Sequence, residues 1–261
     1  MDSVVSTDQL LLSRLRSQYV SLKTRWIMED NSDKKSNTKK TLFKAALAAA
    51  AAVIGVLMND KWLHEEMSRE IKFLPRVGKL YDHSRWGKRV MVLGESHYCA
   101  NPSEATANIT QRVFEYLFDS SCDHEGWMNT YTKFASALSG QQENRFSSEA
   151  VWGEVLFYNF IQEPMTAPRQ APTKEQRVAA QRPFLEVIEH YRPDLVLVWG
   201  HDRLYDYLPD AGHQGADCCG VETWIYSLSD GHEVRVLPVQ HPASAFSPSE
   251  WHRTISVALE N

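Results

Sequence analysis

The later part of the chain carries four short apolar runs, at 89–93 (RVMVL), 154–158 (EVLFY), 194–199 (DLVLVW) and 233–239 (EVRVLPV). They are rich in Val and Leu and alternate little, the pattern of strands buried on both faces of a parallel sheet. Each run stops at a polar cluster. The first cluster is Gly94-Glu95-Ser96-His97-Tyr98 and the last is His241-Pro242-Ala243-Ser244, so one rim of the predicted sheet collects the chemistry. Segments 104–118 and 174–190 carry apolar residues at helical spacing. The fold expected is α/β, a three-layer α/β/α sandwich around a central four-stranded parallel sheet.

The N-terminal region has a different pattern. Residues 10–27 read as an amphipathic helix, 29–40 (EDNSDKKSNTKK) as a polar linker, and 45–58 (AALAAAAAVIGVLM) as an apolar run of 14 residues. That is shorter than the roughly 20 residues of a membrane span, and a signal peptide would begin nearer residue 1. A buried helix or helical hairpin is expected, with no membrane contact. The chain therefore divides into an N-terminal helical extension, 1–70, and an α/β domain, 71–261. The extension has two open uses: a basic lid over nucleic acid, or a packing element that forms a homodimer through its helices.

Composition narrows the setting. The chain has 261 residues, 43% of them apolar, enough for one sizeable core. Cys99, Cys122, Cys218 and Cys219 have no Cys-x-x-Cys spacing and form a poor disulfide framework. A reducing cytoplasm is expected. The Cys and His residues between His213 and Cys219 match no common zinc pattern, so neither metal nor cofactor is expected. The net charge is −5, and the basic surplus sits in the first 60 residues. Such a balance argues against broad electrostatic DNA binding and leaves room only for a narrow basic groove.

The ordered motifs Leu93-Gly94-Glu95-Ser96-His97-Tyr98, Tyr158-Asn159-Phe160, Val198-Trp199-Gly200-His201 and Gln240-His241-Pro242-Ala243-Ser244 resemble those of the uracil-DNA glycosylase superfamily, over residues 73–255. Each motif alone is weak; their order and their shared place at strand ends make the set more specific. The resemblance implies a monofunctional DNA glycosylase that flips a non-standard pyrimidine out of DNA and hydrolyses its glycosidic bond, leaving an abasic site.

That chemistry needs an anion near the sugar, where positive charge develops, and a donor near the departing base. Glu95 is expected to supply the first, by orienting a water or by stabilising the sugar cation, and His241 the second; the alternative is that Glu95 caps its turn and His241 rigidifies the Pro loop. Asn159 offers an acceptor and two donors to a pyrimidine edge, the task of the matching Asn in the superfamily. Tyr98 and Phe160 are candidates for stacking on the base, with Ser96 and His97 beside it. Ser244, Gly200 and His201 are expected against the DNA, and Phe246 as a wedge in the base stack. No lysine lies in these motifs, so direct hydrolysis is expected rather than a Schiff base.

Departures from the family pattern bear on the substrate. The uracil-specific branch has Gly-Gln-Asp-Pro-Tyr, and here Ser96 stands at the catalytic Asp position and His97 at the Pro. The iron–sulfur branch shares the Gly-Glu start but has four spaced cysteines that this chain does not. Ala243 replaces the serine of His-Pro-Ser. Some superfamily relatives are implicated in defence against phages with modified DNA, so a hydroxymethylated or glucosylated cytosine is the expected base. Uracil repair is the nearest alternative. A catalytically inactive DNA-binding module and an esterase built on Ser96 and His241 are the others; the esterase has no Gly-x-Ser-x-Gly and no convincing acid.

Overall fold

The four apolar runs form strands because their Val and Leu side chains fill both faces of a sheet that helices shield. The computed structural model describes residues 70–167 and 170–260; the expected N-terminal helices, linker and dimer element lie outside them. The runs become β2 (Val90–Gly94), β3 (Val155–Asn159), β4 (Leu195–Trp199) and β7 (Glu233–Val239). The first three are buried at every residue. They pair in parallel in the order β3-β2-β4-β7.

The sheet is larger than four strands. It has seven, because β1 (Arg76–Val77) adds antiparallel to β3, and β6 (Trp224–Ser227) and β5 (His213–Gln214) extend the β7 edge antiparallel. Two of these additions are two residues long, too short to leave a period in the sequence. The expected central four-stranded parallel sheet is present as the core of a larger, mixed sheet.

Five α-helices accompany it among the described residues: α1 (Ile109–Phe118), α2 (Met128–Ser139), α3 (Ser148–Trp152), α4 (Lys174–Tyr191) and α5 (Pro248–Glu260). The helix expected over 104–118 starts later, since Pro102–Glu104 forms a separate 3₁₀ turn capped by Asn101. Helix α4 starts at residue 174 as expected, fixed by a capping box between Thr173 and Gln176. Val90, Val92, Phe157, Leu197 and Val239 share one core cluster with residues of α1, α2, α3 and α5. The alternate set, including Met91, Leu93, Tyr158 and Val198, is equally buried, and α4 sets Phe184 against Phe160 and Tyr226.

The C-terminal turn of α1 is closed by a buried cation. Arg145 donates to the carbonyls of Cys122, Tyr116 and Asp119 at 2.8, 3.0 and 2.7 Å, and its Nε donates to that of Leu117. A helix end carries partial negative charge and unpaired carbonyls, so one guanidinium satisfies four acceptors there. Arg145→Ala lowers the unfolding free energy by about 3 kcal/mol, since charged hydrogen bonds are lost and buried acceptors are left unpaired. Denaturant melts check this; a loss under about 1 kcal/mol would mean that water replaces the guanidinium.

Candidate active site

All four parallel strands end at one rim. Chain order reverses at β2, which has β3 on one side and β4 on the other, and the crevice at such a reversal is where open α/β sheets bind ligands. A cavity of about 1610 Å³ opens there, lined by Gly94 to Tyr98 after β2, Asn159 after β3, Trp199 to Arg203 after β4, and Gln240, His241, Ala243 and Ser244 after β7.

The first two loops are zipped together beyond the sheet. Phe160 N–H donates to Gly94 O and Ile161 N–H to Glu95 O, both at 2.9 Å, and Met165 N–H donates to His97 O at 2.8 Å. Gln162 braces the same turn by donating to Asn159 O at 2.8 Å and accepting from Phe73 N–H at 2.9 Å. Gly94 pairs directly with Asn159. A Cβ at Gly94 would collide with Asn159 Oδ1 and stand 3.0 Å from the Phe157 ring. Glycine there is what lets the asparagine side chain lie beside the first loop.

Asn159 is 5% exposed and lines the cavity, and its side-chain amide has no hydrogen-bond partner among the described residues. Buried amides are normally paired. A free one on a cavity wall is a donor and acceptor set aside for a ligand. Trp199 Nε1, on the same wall, is a buried donor without a partner among the described residues. Its indole is held rigid by Phe134 at 5.1 Å, Phe157 at 5.2 Å and Tyr131 at 5.4 Å.

Glu95 is mostly buried and meets two arginines. Arg203 donates from Nη2 to Oε2 at 2.8 Å and from Nε to Oε1 at 3.3 Å; Arg177 Nη2 lies 3.7 Å from Oε1. Burial raises its carboxyl above the ordinary value, and Arg203 and then Arg177 pull it partway back. His241 is held in one tautomer. Its Nδ1 accepts from Ala243 N–H at 3.1 Å, so the neutral ring carries its proton on Nε2. Burial, then the nearby Arg203 charge, lowers its pKa and favours that neutral form. Ser244 donates its hydroxyl to His241 O at 2.6 Å and closes the turn.

Other expected site residues stand elsewhere. Phe160 is fully buried against Phe184, and Phe246 stacks on Trp251 in the core with ring planes at 6°. Neither ring reaches the cavity wall, so the stacking role for Phe160 and the wedge role for Phe246 are corrected to core packing. Phe160 directly follows β3 and Phe246 lies in the loop between β7 and α5, and for both apolar rings burial outweighs any other use. Tyr98 is exposed on the cavity rim and free to stack. Ser96 lines the cavity and bonds to no imidazole among the described residues. Gly200 takes a φ of 108°, which lets its N–H turn back to Val239 O at 2.9 Å. His201 stands near three carboxylates, with Glu222 at 2.8 Å and Asp202 and Asp206 at 3.4 Å. That surround repels phosphate, so its expected DNA contact is not supported by its setting.

His97 turns inward, with Nε2 2.9 Å from Thr110 Oγ1 and Phe73 edge-on to its ring at 5.4 Å. Burial lowers its pKa to about 4. A histidine depressed from about 6.5 contributes stability that is complete above that pH and is lost as pH falls through about 4, to a total of about 3 kcal/mol. Melting temperatures between pH 7 and pH 4 should therefore drop less in His97→Gln than in the parent; equal drops would sink this assignment.

Arg177, Arg203, Trp127 and Tyr131 belong to the site and were not foreseen from the sequence. Arg203 follows the Gly200 turn by three residues, a weak local signal, whereas Arg177 lies inside α4 with nothing in its neighbourhood to mark it. No protein-family model matches the chain, and no curated protein matches it by sequence.

Proposed function

We propose that the protein is a monofunctional DNA glycosylase on a three-layer α/β/α core, excising a modified pyrimidine and leaving an abasic site. The observation that carries this reading is the free amide of buried Asn159, on the wall of the cavity that also holds Glu95 and the Nε2–H of His241. An amide offers donor and acceptor together, as a pyrimidine edge requires.

In this reading the C1′–N bond breaks with its electron pair leaving on the base. His241 Nε2–H donates to the oxygen where that charge collects, a neutral donor aimed in a desolvated site. Water adds to C1′; the Glu95 carboxylate stabilises the sugar cation and takes the water's proton. Asn159 orients the base by whichever amide rotamer its edge demands. Tyr98 at the rim is placed to stack on it, and Ser244 lies beside the strand path.

The cavity supports a base larger than uracil. At about 1610 Å³ it exceeds the roughly 300–1,000 Å³ of ordinary small-molecule sites. Trp127, Tyr131 and Trp251 also line it, together with the polar Gln214, Asp217 and Glu222, suiting a substituent with hydroxyls. Hydroxymethylated or glucosylated cytosine of phage DNA fits that description, in a cytoplasmic defence role. Among the described residues no helix is long and apolar enough to cross a membrane.

The test is an abasic-site assay on plain, uracil-containing, hydroxymethylated and glucosylated DNA, single- and double-stranded. Release confined to a modified cytosine supports the reading, and release from uracil alone replaces it with a repair enzyme. Absence of product from every substrate, with DNA binding intact, would leave a binding module.

A further inference from the structure

Arg203 is the single lysine or arginine among the described residues lining the cavity, where Glu95, Asp202, Asp217 and Glu222 supply negative charge. It is half-exposed, yet its guanidinium is spent on both oxygens of Glu95. The other cation at Glu95 is held differently. Arg177 is buried, lies 3.7 Å over the Tyr207 ring, and is tied to the carbonyls of Pro172 and Arg203. Arg177 is anchored by its surroundings, whereas Arg203 can leave Glu95 by rotating about its own side chain into solvent.

We propose that Arg203 is the phosphate-binding residue of this cavity, and that Glu95 competes with phosphate for it. A phosphodiester entering past acidic walls finds one cation, and a guanidinium matches two phosphate oxygens as well as it matches a carboxylate. When the phosphate takes Arg203, Glu95 keeps Arg177 and gains an open oxygen facing the cavity. Ligand arrival and exposure of the carboxylate are thereby one event. The identity of the phosphate as part of a DNA strand rests on the glycosylase reading; the competition between the two anions does not.

The probe is a short fluorescein-labelled oligothymidylate, bound to the full chain and followed by anisotropy over a salt series. Glu95→Gln should bind it roughly fivefold more tightly than the parent, because removing a partly exposed ion pair frees the guanidinium. Arg203→Ala should bind more weakly, with the salt slope reduced by about one. The double variant should match Arg203→Ala, and an uncharged methylphosphonate strand should show no gain with Glu95→Gln. Should Glu95→Gln fail to fold, Glu95→Ala, which also removes the competing carboxylate, should give the same gain. Unchanged or weaker binding in the Glu95 variant, or a gain that survives loss of Arg203, overturns the proposal. If no DNA yields abasic product while the Glu95→Gln gain persists, the competition stands and the glycosylase reading alone falls.

Discussion

Glu95→Gln should lower the single-turnover rate of base release by roughly 10³-fold, while the protein still binds DNA. The substitution keeps side-chain size, removes the charge and turns one of the two oxygens that accept from Arg203 into an NH2 donor. Its effect therefore reports the carboxylate and not the shape of the loop. The loop itself is held independently, by Phe160 and Ile161 N–H bonding to the backbone carbonyls of Gly94 and Glu95. Burial raises the Glu95 pKa against the pull of Arg203 and Arg177, so the parent should lose rate as pH falls through that raised value and the carboxylate is protonated. In the Glu95→Gln variant the residual rate should lack this acid limb. A variant with at least a tenth of parental activity would remove Glu95 from the chemistry.

His241→Leu costs about 10²-fold in the same assay, the scale of one lost donor to a departing anion. The geometry makes a sharper statement than the loss alone. Ala243 N–H occupies Nδ1, so in the proposed reaction His241 would act as a neutral donor through Nε2. Its lowered pKa keeps that form present across neutral pH, and His241→Asn, which retains an N–H donor, should recover part of the rate. The sign of its stability contribution follows. A depressed histidine stabilises the fold fully above its ordinary pKa and loses that contribution as pH falls through the folded value. Equal rates in the Leu and Asn variants would reduce His241 to a brace of its turn, the role its bonds to Ala243 and Ser244 already show.

The parallel centre of the fold was legible because burial on both faces writes itself into composition. Runs of Val and Leu ending in polar residues gave the four central strands within a residue at each end. Edge strands leave no such trace. The pairing of β1 with β3 and of β5 with β6 spans two residues each, and their existence depends on partners, not on their own pattern. The site divides in the same way. Glu95, Asn159 and His241 sit at strand ends and line one cavity, as their positions after apolar runs suggested. Phe160 directly follows β3 and Phe246 lies in the loop after β7, and nothing local distinguishes an aromatic that faces a cavity from one that faces the core.

What the sequence determined alone is the four central strands, their parallel arrangement and the rim where their polar ends gather, since periodicity and burial are properties of each segment. The tertiary structure decided what that rim can do. It set Arg177, from the middle of a helix, and Arg203, from the loop after β4, on the same carboxylate. It also set Asn159 on the cavity wall and fixed the His241 tautomer through a neighbouring backbone N–H. Charge, solvation and hydrogen bonding act through distances of a few ångströms in space, and chain order does not record those distances.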